Sequence, residues 1–240
     1  AAFVNNEIRG TANLELIKAF DTYQAFLTIY SNEKEINKED IEFRVFDASA
    51  GIVRGGVTPD FTFSPNATAG STTNPILFQV GNSLVKEISY EKGFQWVSYN
   101  LASPQLQNTN RLFQTATLRN GDLIKGQAFY DQYENSNGWL GSLSNSGGVM
   151  IGKAYKLQLG EATSLQYSGE LVKPSTMPIS VNQGWNWIGY IPEEVIELNE
   201  ALASLVPTDG DLIKSQFSFA IYNNSLGWVG TLKSLEPGKG

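Results

Sequence analysis

The sequence predicts an all-β protein, mainly antiparallel, with an N-terminal β-sandwich followed by two homologous β-rich units that each carry a short helix. Three observations support this. Short apolar and aromatic segments recur throughout, separated by Gly, Pro, Asn and Asp breakers. Ile41-Glu42-Phe43-Arg44-Val45 alternates apolar and charged residues with period two, as a strand with one wet face does. Finally, the chain echoes itself. Gly121-Asp122-Leu123-Ile124-Lys125 returns 89 positions later as Gly210-Asp211-Leu212-Ile213-Lys214. At that offset Gln127 maps to Gln216, Tyr133 to Tyr222, Asn135-Ser136 to Asn224-Ser225, and Gly138-Trp139 to Gly227-Trp228. Upstream, Gly93 and Trp96 return as Gly184 and Trp187 at an offset of 91, the small change that a loop insertion produces.

The first element in order is residues 1–82, expected as an immunoglobulin-like β-sandwich. Tyr23 to Tyr30 is rich in β-branched and aromatic residues, and a turn is expected at Ser31-Asn32-Glu33-Lys34. Phe61-Thr62-Phe63 and Ile76 to Val80 are further strand candidates, with Ala50-Gly51, Gly55-Gly56, Pro59-Asp60 and Ala69-Gly70-Ser71 between them. Gly81-Asn82 marks the boundary.

The two related units are expected at 83–169 and 170–240, one after the other. Each offers an aromatic strand, Phe94 to Tyr99 and Trp185 to Tyr190. A helix is expected over Leu198 to Leu205, where Leu198, Ala201, Leu202 and Leu205 share one face; its counterpart, Asn108 to Leu118, is a poorer helix former. Two strands then flank a hairpin at Asn135-Ser136-Asn137-Gly138, or at Asn223-Asn224-Ser225-Leu226-Gly227. After Gly152-Lys153-Ala154 the first unit continues with the alternating strand Tyr155-Lys156-Leu157-Gln158-Leu159, whereas the second has only Gly238-Lys239-Gly240. The second unit is therefore expected to lack its closing strand. Either the sequence is a piece of a longer protein, or another chain donates the strand.

Composition narrows the function. The net charge is -7 and the Lys and Arg residues are scattered, so no basic stripe can neutralise a row of phosphates, and nucleic acid is not an expected partner. No run of 18 apolar residues suggests membrane insertion. The chain has no Cys and no His, which removes disulfides, thiolate zinc sites, cysteine nucleophiles and the Ser-His-Asp apparatus.

Five Trp residues stand out: Trp96, Trp139, Trp185, Trp187 and Trp228. Trp185 and Trp187 share a strand face, as do Phe94 and Trp96, and the plain reading makes these rings core. Trp139 and Trp228 follow the hairpin Gly and are expected near a loop tip, where exposed rings bind ligands. Asn135, Asn137, Asn223 and Asn224 lie beside them as hydrogen-bonding partners for sugar hydroxyls. Asp122 and Asp211 follow a turn Gly and are expected to bond nearby backbone amides. Lys125 and Lys214 are expected as solvated strand positions. Asp131 and Glu134 sit in an oxygen-rich stretch and form a calcium candidate, although the matching stretch from Ala220 to Gly227 has no carboxylate. Gly147 to Gly152 lacks the context of a phosphate loop. No pair of Glu residues has the spacing of a glycosidase dyad.

The segments Gly184-Trp185-Asn186-Trp187-Ile188-Gly189-Tyr190, Leu198 to Leu202, Gly210 to Gln216, Gly227-Trp228-Val229-Gly230 and Leu235 to Gly240 resemble a tandem β-rich repeat module of large secreted or cell-surface proteins of Bacteroidota-type bacteria. The likeness runs from about residue 84 to 240. It departs in the first unit, where Phe94-Gln95 replaces Trp-Asn. It implies an extracellular or cell-surface setting in a multidomain protein and brings no catalytic residue.

The expected function is a non-catalytic extracellular module for adhesion or polysaccharide binding, without a cofactor. The competing expectation is a structural spacer or fibre subunit that self-associates through its incomplete last unit.

Overall fold

The computed structural model describes residues 1–31 and 39–240. The chain is all-β with mainly antiparallel pairing, and among the described residues the α-helices are three single turns, Thr109–Leu112, Ser142–Asn145 and Leu198–Ala201. Two compact units divide it, Ala1–Val85 and Lys86–Gly240. Among the described residues no helix is long and apolar enough to cross a membrane.

In the first unit, Ala2–Val4 lies between Glu7–Gly10 and Asp40–Phe43, which in turn pairs with Phe61–Thr62. The period-two pattern of Ile41 to Val45 holds only in part. Ile41 and Phe43 are buried and Glu42 is exposed, but Arg44 is buried as well, over the Phe3 ring, and the strand is interrupted there. Ile41 and Phe43 pack with Ala2, Val4 and Val57 into one small core, and Phe43 meets the Phe61 ring edge-on at 5.7 Å. The aromatic run from Tyr23 is a strand only over Thr22–Gln24, and Ile76 to Val80 contributes a single bridge, Thr58 to Gln79. High strand propensity alone makes no ladder here: the backbone bonds are isolated, Tyr30 N–H to Arg9 O at 2.9 Å and the Thr58–Gln79 pair. The expected turn at residues 31–34 lies mostly outside the described residues.

The second unit is built on a five-stranded sheet. Its order is Gly93–Ser98, Ala154–Leu159, Leu123–Lys125, Tyr130–Glu134 and Gly138–Gly141. The inner face presents Val97, Tyr155, Leu157, Leu159, Ile124 and Trp139, all buried. Against them packs the long strand Thr163–Leu171, whose Leu165 and Tyr167 are also buried and which pairs with Leu101–Ala102. The result is a sandwich-like closed core.

A three-stranded sheet follows: Leu212–Lys214, Phe219–Asn223 and Gly227–Gly230. Its bonds match those of the first segment residue by residue. Gly121 N–H donates to Tyr133 O at 2.9 Å, and Gly210 N–H donates to Tyr222 O at 2.9 Å. Trp139 N–H donates to Asn110 Oδ1 at 2.8 Å, and Trp228 N–H to Asn199 Oδ1 at 2.7 Å. Those asparagine side chains crowd Gly138 and Gly227, which also hold φ of +76° and +73°, so each position requires glycine. The helices flanking these asparagines are shorter than the apolar pattern suggests. Asn108 and Glu197 cap the first turn, but the backbone at Leu202 to Leu205 tightens into i to i+3 turns and ends it.

The two segments do not stand one after another. The expected divide at 169/170 falls inside the strand Thr163–Leu171, and each segment completes the other. Gln127 accepts the Trp187 N–H at 3.0 Å and donates to Trp185 O at 2.7 Å. Gln216, its counterpart, accepts the Trp96 N–H at 3.0 Å and donates to Phe94 O at 2.7 Å. Lys153 bridges Ile188, and Lys239 bridges Val97.

At the centre of this unit Tyr90, Tyr99 and Tyr167 are buried together, with the Tyr90 and Tyr99 hydroxyls 3.2 Å apart. Burial raises all three phenols above their ordinary value, Tyr167 to about 12. Below pH 10 both folded and unfolded chains keep these protons. Above it the unfolded chain releases them first, so stability is lost as pH climbs towards the folded values. Urea-unfolding midpoints are expected to hold steady from pH 7 to 9 and to fall above about pH 10. Tyr99→Phe should flatten that fall, and an equally steep fall in the variant would count against it.

Candidate functional site

The outer face of the five-stranded sheet is set by strand alternation. Residues one position off the buried set point outward in two cross-strand rows. One row runs Trp96, Lys156, Lys125, Tyr130; the other runs Phe94, Gln158, Leu123, Gln132, Leu140. None of these side chains is buried. The second segment carries the matching residues, Trp185 and Trp187 on one extended stretch and Leu212, Lys214, Phe219, Ile221 and Val229 on the three-stranded sheet, again none of them buried.

Where the two sets meet, cations sit on indoles. Lys156 Nζ lies 5.1 Å from the centre of the Trp96 ring and 4.8 Å from that of Trp187, and Lys214 Nζ lies 5.1 Å from Trp96. Such pairs are stabilising by about 0.5–2 kcal/mol depending on desolvation. They hold Trp96 and Trp187 half-buried, while the rings two residues upstream stay open. Phe94 is 60% exposed and Trp185 is 62% exposed. These two occupy equivalent positions, and the glutamine clamps grip the backbone carbonyls of those same residues. The arrangement offers the open rings of Phe94 and Trp185, the exposed rings of Tyr130 and Phe219, the ammonium groups of Lys125, Lys156 and Lys214, and several amide groups.

The residues singled out from sequence fare differently. Trp139 is a core residue, 3% exposed, and not a loop-tip ring. Its faces are taken by Phe113 at 4.9 Å and Tyr133 at 5.7 Å, because it stands on the inward side of the strand after the hairpin Gly. No sugar can stack there. Trp228 is half-buried against Tyr222 at 5.4 Å. Asn135, Asn137, Asn223 and Asn224 are exposed in the hairpins; Asn223 ends the strand Phe219–Asn223 on the face of Ile221, and Asn137 Nδ2 donates to Glu134.

The calcium candidate also falls. Asp131 is fully buried, and its carboxylate accepts from Leu143 N–H, Ser144 N–H, the Ser144 hydroxyl and the Thr109 hydroxyl at 2.6–3.0 Å. It serves as a hub for the helix turns, and Glu134 lies three residues along the strand and exposed. Among the described residues no group of three or more acidic, His or Cys side chains gathers to hold a metal.

Asp122 and Asp211 do bond backbone amides, Arg119 N–H at 2.8 Å and Thr208 N–H at 2.7 Å. Lys214 is exposed as read, but its ammonium lies over an indole. A second polar cluster joins Lys86, Asn100, Tyr167 and Glu193. Its buried Asn100 side chain is satisfied on every side, donating to Ile191 O and Glu193 and accepting from Lys86 and Tyr167. That saturation marks a structural lock.

The arrangement was partly visible in the sequence. The spacing of Phe94 with Trp96, and of Trp185 with Trp187, put each pair on one face. Which face lay outward depended on pairing with Ala154–Leu159 and on Lys156, and no local pattern reveals either.

No protein-family model, curated protein or solved structure matches the chain.

The indole Nε1–H of Trp139 is buried without a hydrogen-bond partner. Trp139→Phe removes that unpaired donor and keeps most of the ring, so its cost should stay below about 1.5 kcal/mol. Trp139→Ala should cost about 3–5 kcal/mol by opening a cavity. Chemical denaturation separates the two, and equal losses would contradict the assignment of Trp139 as packing.

Proposed function

We propose that this chain is a non-catalytic carbohydrate-binding module which takes an extended polysaccharide across the outer face of residues 86–240. The observation that carries the reading is the pair of open rings, Phe94 and Trp185, set at equivalent positions beside the lysine-capped Trp96 and Trp187. Apolar ring faces suit the C–H face of a pyranose. Gln158, Gln132, Tyr130 and the lysines supply donors and acceptors for hydroxyls, and for carboxylates if the sugar is acidic. Two similar weak subsites on one rigid unit gain avidity on a polymer without further contacts. An adhesion role in a secreted or cell-surface protein belongs to the same reading and rests on the module resemblance. Nothing in the reading asks for a cofactor or a nucleic-acid partner.

Calorimetric titration with soluble neutral and uronic-acid polysaccharides tests it. Phe94→Ala and Trp185→Ala should each weaken binding roughly tenfold, about 1.4 kcal/mol, and together by more. Trp139→Phe should leave affinity unchanged. Absence of binding to every glycan, or binding indifferent to both ring deletions, would overturn the proposal.

A further inference from the structure

Lys86, Asn100 and Glu193 meet in a triangle of direct contacts. Lys86 Nζ donates to Asn100 Oδ1 at 2.8 Å and to Glu193 Oε1 at 2.5 Å, and Asn100 Nδ2 donates to the same Oε1 at 2.5 Å. Asn100 Nδ2 also donates to Ile191 O at 3.2 Å. A main-chain carbonyl can only accept, so the carboxamide is oriented with its oxygen towards Lys86 and Tyr167. The Tyr167 hydroxyl lies 3.4 Å from Oδ1, and burial, which pushes its pKa up to about 12, keeps its proton in place as a donor. The carbonyl carbon is one bond of about 1.2 Å beyond Oδ1, which puts it within about 4 Å of the Lys86 nitrogen.

A hydrogen-bonded lock needs only a saturated Asn100. This cluster holds more: an amine against a carboxamide, a carboxylate touching both nitrogens, and a hydroxyl at the oxygen where charge develops if the amine attacks. Those are the parts of an amide exchange.

We propose that Lys86 and Asn100 join in an isopeptide bond which the chain forms on itself, with Glu193 carrying the protons. The Lys86 ammonium gives a proton to Glu193, and the freed lone pair attacks Asn100 Cγ. The new C–N bond pushes the C=O electron pair onto Oδ1, where Tyr167 donates to it. Glu193 passes its proton to Nδ2 and takes one from the attacking nitrogen. The C=O bond re-forms as the Cγ–Nδ2 bond breaks, and ammonia leaves with the last proton from Glu193, as ammonium. No oxidant and no second substrate enters. The Glu193 side chain is 38% exposed, which gives ammonium a way out. Asn100 is 2% exposed, which keeps water from competing to make aspartate.

The bond ties the strand Leu84–Tyr90 to the residue before Leu101–Ala102, and these two strands lie on either side of Thr163–Leu171. In a chain without Cys it does the work of a disulfide, closing a loop and narrowing the unfolded ensemble. Each chain reacts once, and the bond is independent of what the outer face binds.

Intact-mass measurement on the purified whole chain during incubation at neutral pH, followed by peptide mapping, tests this. The expected mass is lower by one ammonia than the sequence gives, with a branched peptide joining Lys86 to Asn100. Lys86→Met should abolish both. Glu193→Gln should slow bond formation by about a hundredfold or more, with an unchanged circular dichroism spectrum. A mass that stays at the sequence value would overturn the proposal, as would an ammonia loss that maps elsewhere, such as Asn137-Gly138. Conversion of Asn100 to aspartate without the branched peptide, or a bond that forms as fast in Glu193→Gln, would overturn it equally.

Discussion

An unpaired strand edge is a row of amide donors and carbonyl acceptors that must find partners or remain in water. In residues 86–240 that constraint is met by exchange. The edge of Phe94 to Trp96 is closed by Gln216, and the edge of Trp185 to Trp187 by Gln127. A glutamine amide offers one acceptor and two donors in a plane, so it pairs with an extended backbone much as one peptide unit of a neighbouring strand does. The bridges of Lys239 to Val97 and Lys153 to Ile188 extend the closure by main chain. Each segment therefore holds the other's aromatic strand, and the cation–indole stack of Lys156 with Trp96 and Trp187 lies at the same junction.

This exchange explains why local reading went further for elements than for sites. Strand alternation located Ile41 and Phe43 in a core, and the echoed Gly-Asp turns appear with matching bonds at Asp122 and Asp211. These depend on neighbours in sequence. The fate of Trp139 depends on which side of its strand meets Phe113, a residue far away in the chain, and the hairpin Gly gave no hint of that. Asp131 looked like a cation ligand because oxygen-rich stretches do. Its partners Thr109 and Ser144 are supplied by separate helix turns that only folding brings together. The roles of Gln127 and Gln216 were equally hidden. Their recurrence was plain, but a glutamine capping a distant edge leaves no periodic trace.

The proposed function draws on a surface that this architecture makes. The outer face owes its rows to paired strands, and its open rings to a strand period that places Phe94 and Trp185 two residues from clamped tryptophans. The two segments differ in pairing: Leu123–Lys125 is paired on both sides, Leu212–Lys214 on one. Half-burial of Ile213 and Trp228, against full burial of Ile124 and Trp139, expresses that difference in apolar surface still exposed to water.

The central claim is that the two segments form one interlocked unit through reciprocal glutamine clamps. Native-state hydrogen exchange on the Gln127→Ala variant tests it most directly. The account predicts that exchange at the Trp187 amide accelerates locally, and that protection falls across both sheets together as the shared unit loosens. Protection that stays unchanged at Trp187, or that falls in one segment with the other unaffected, would contradict it.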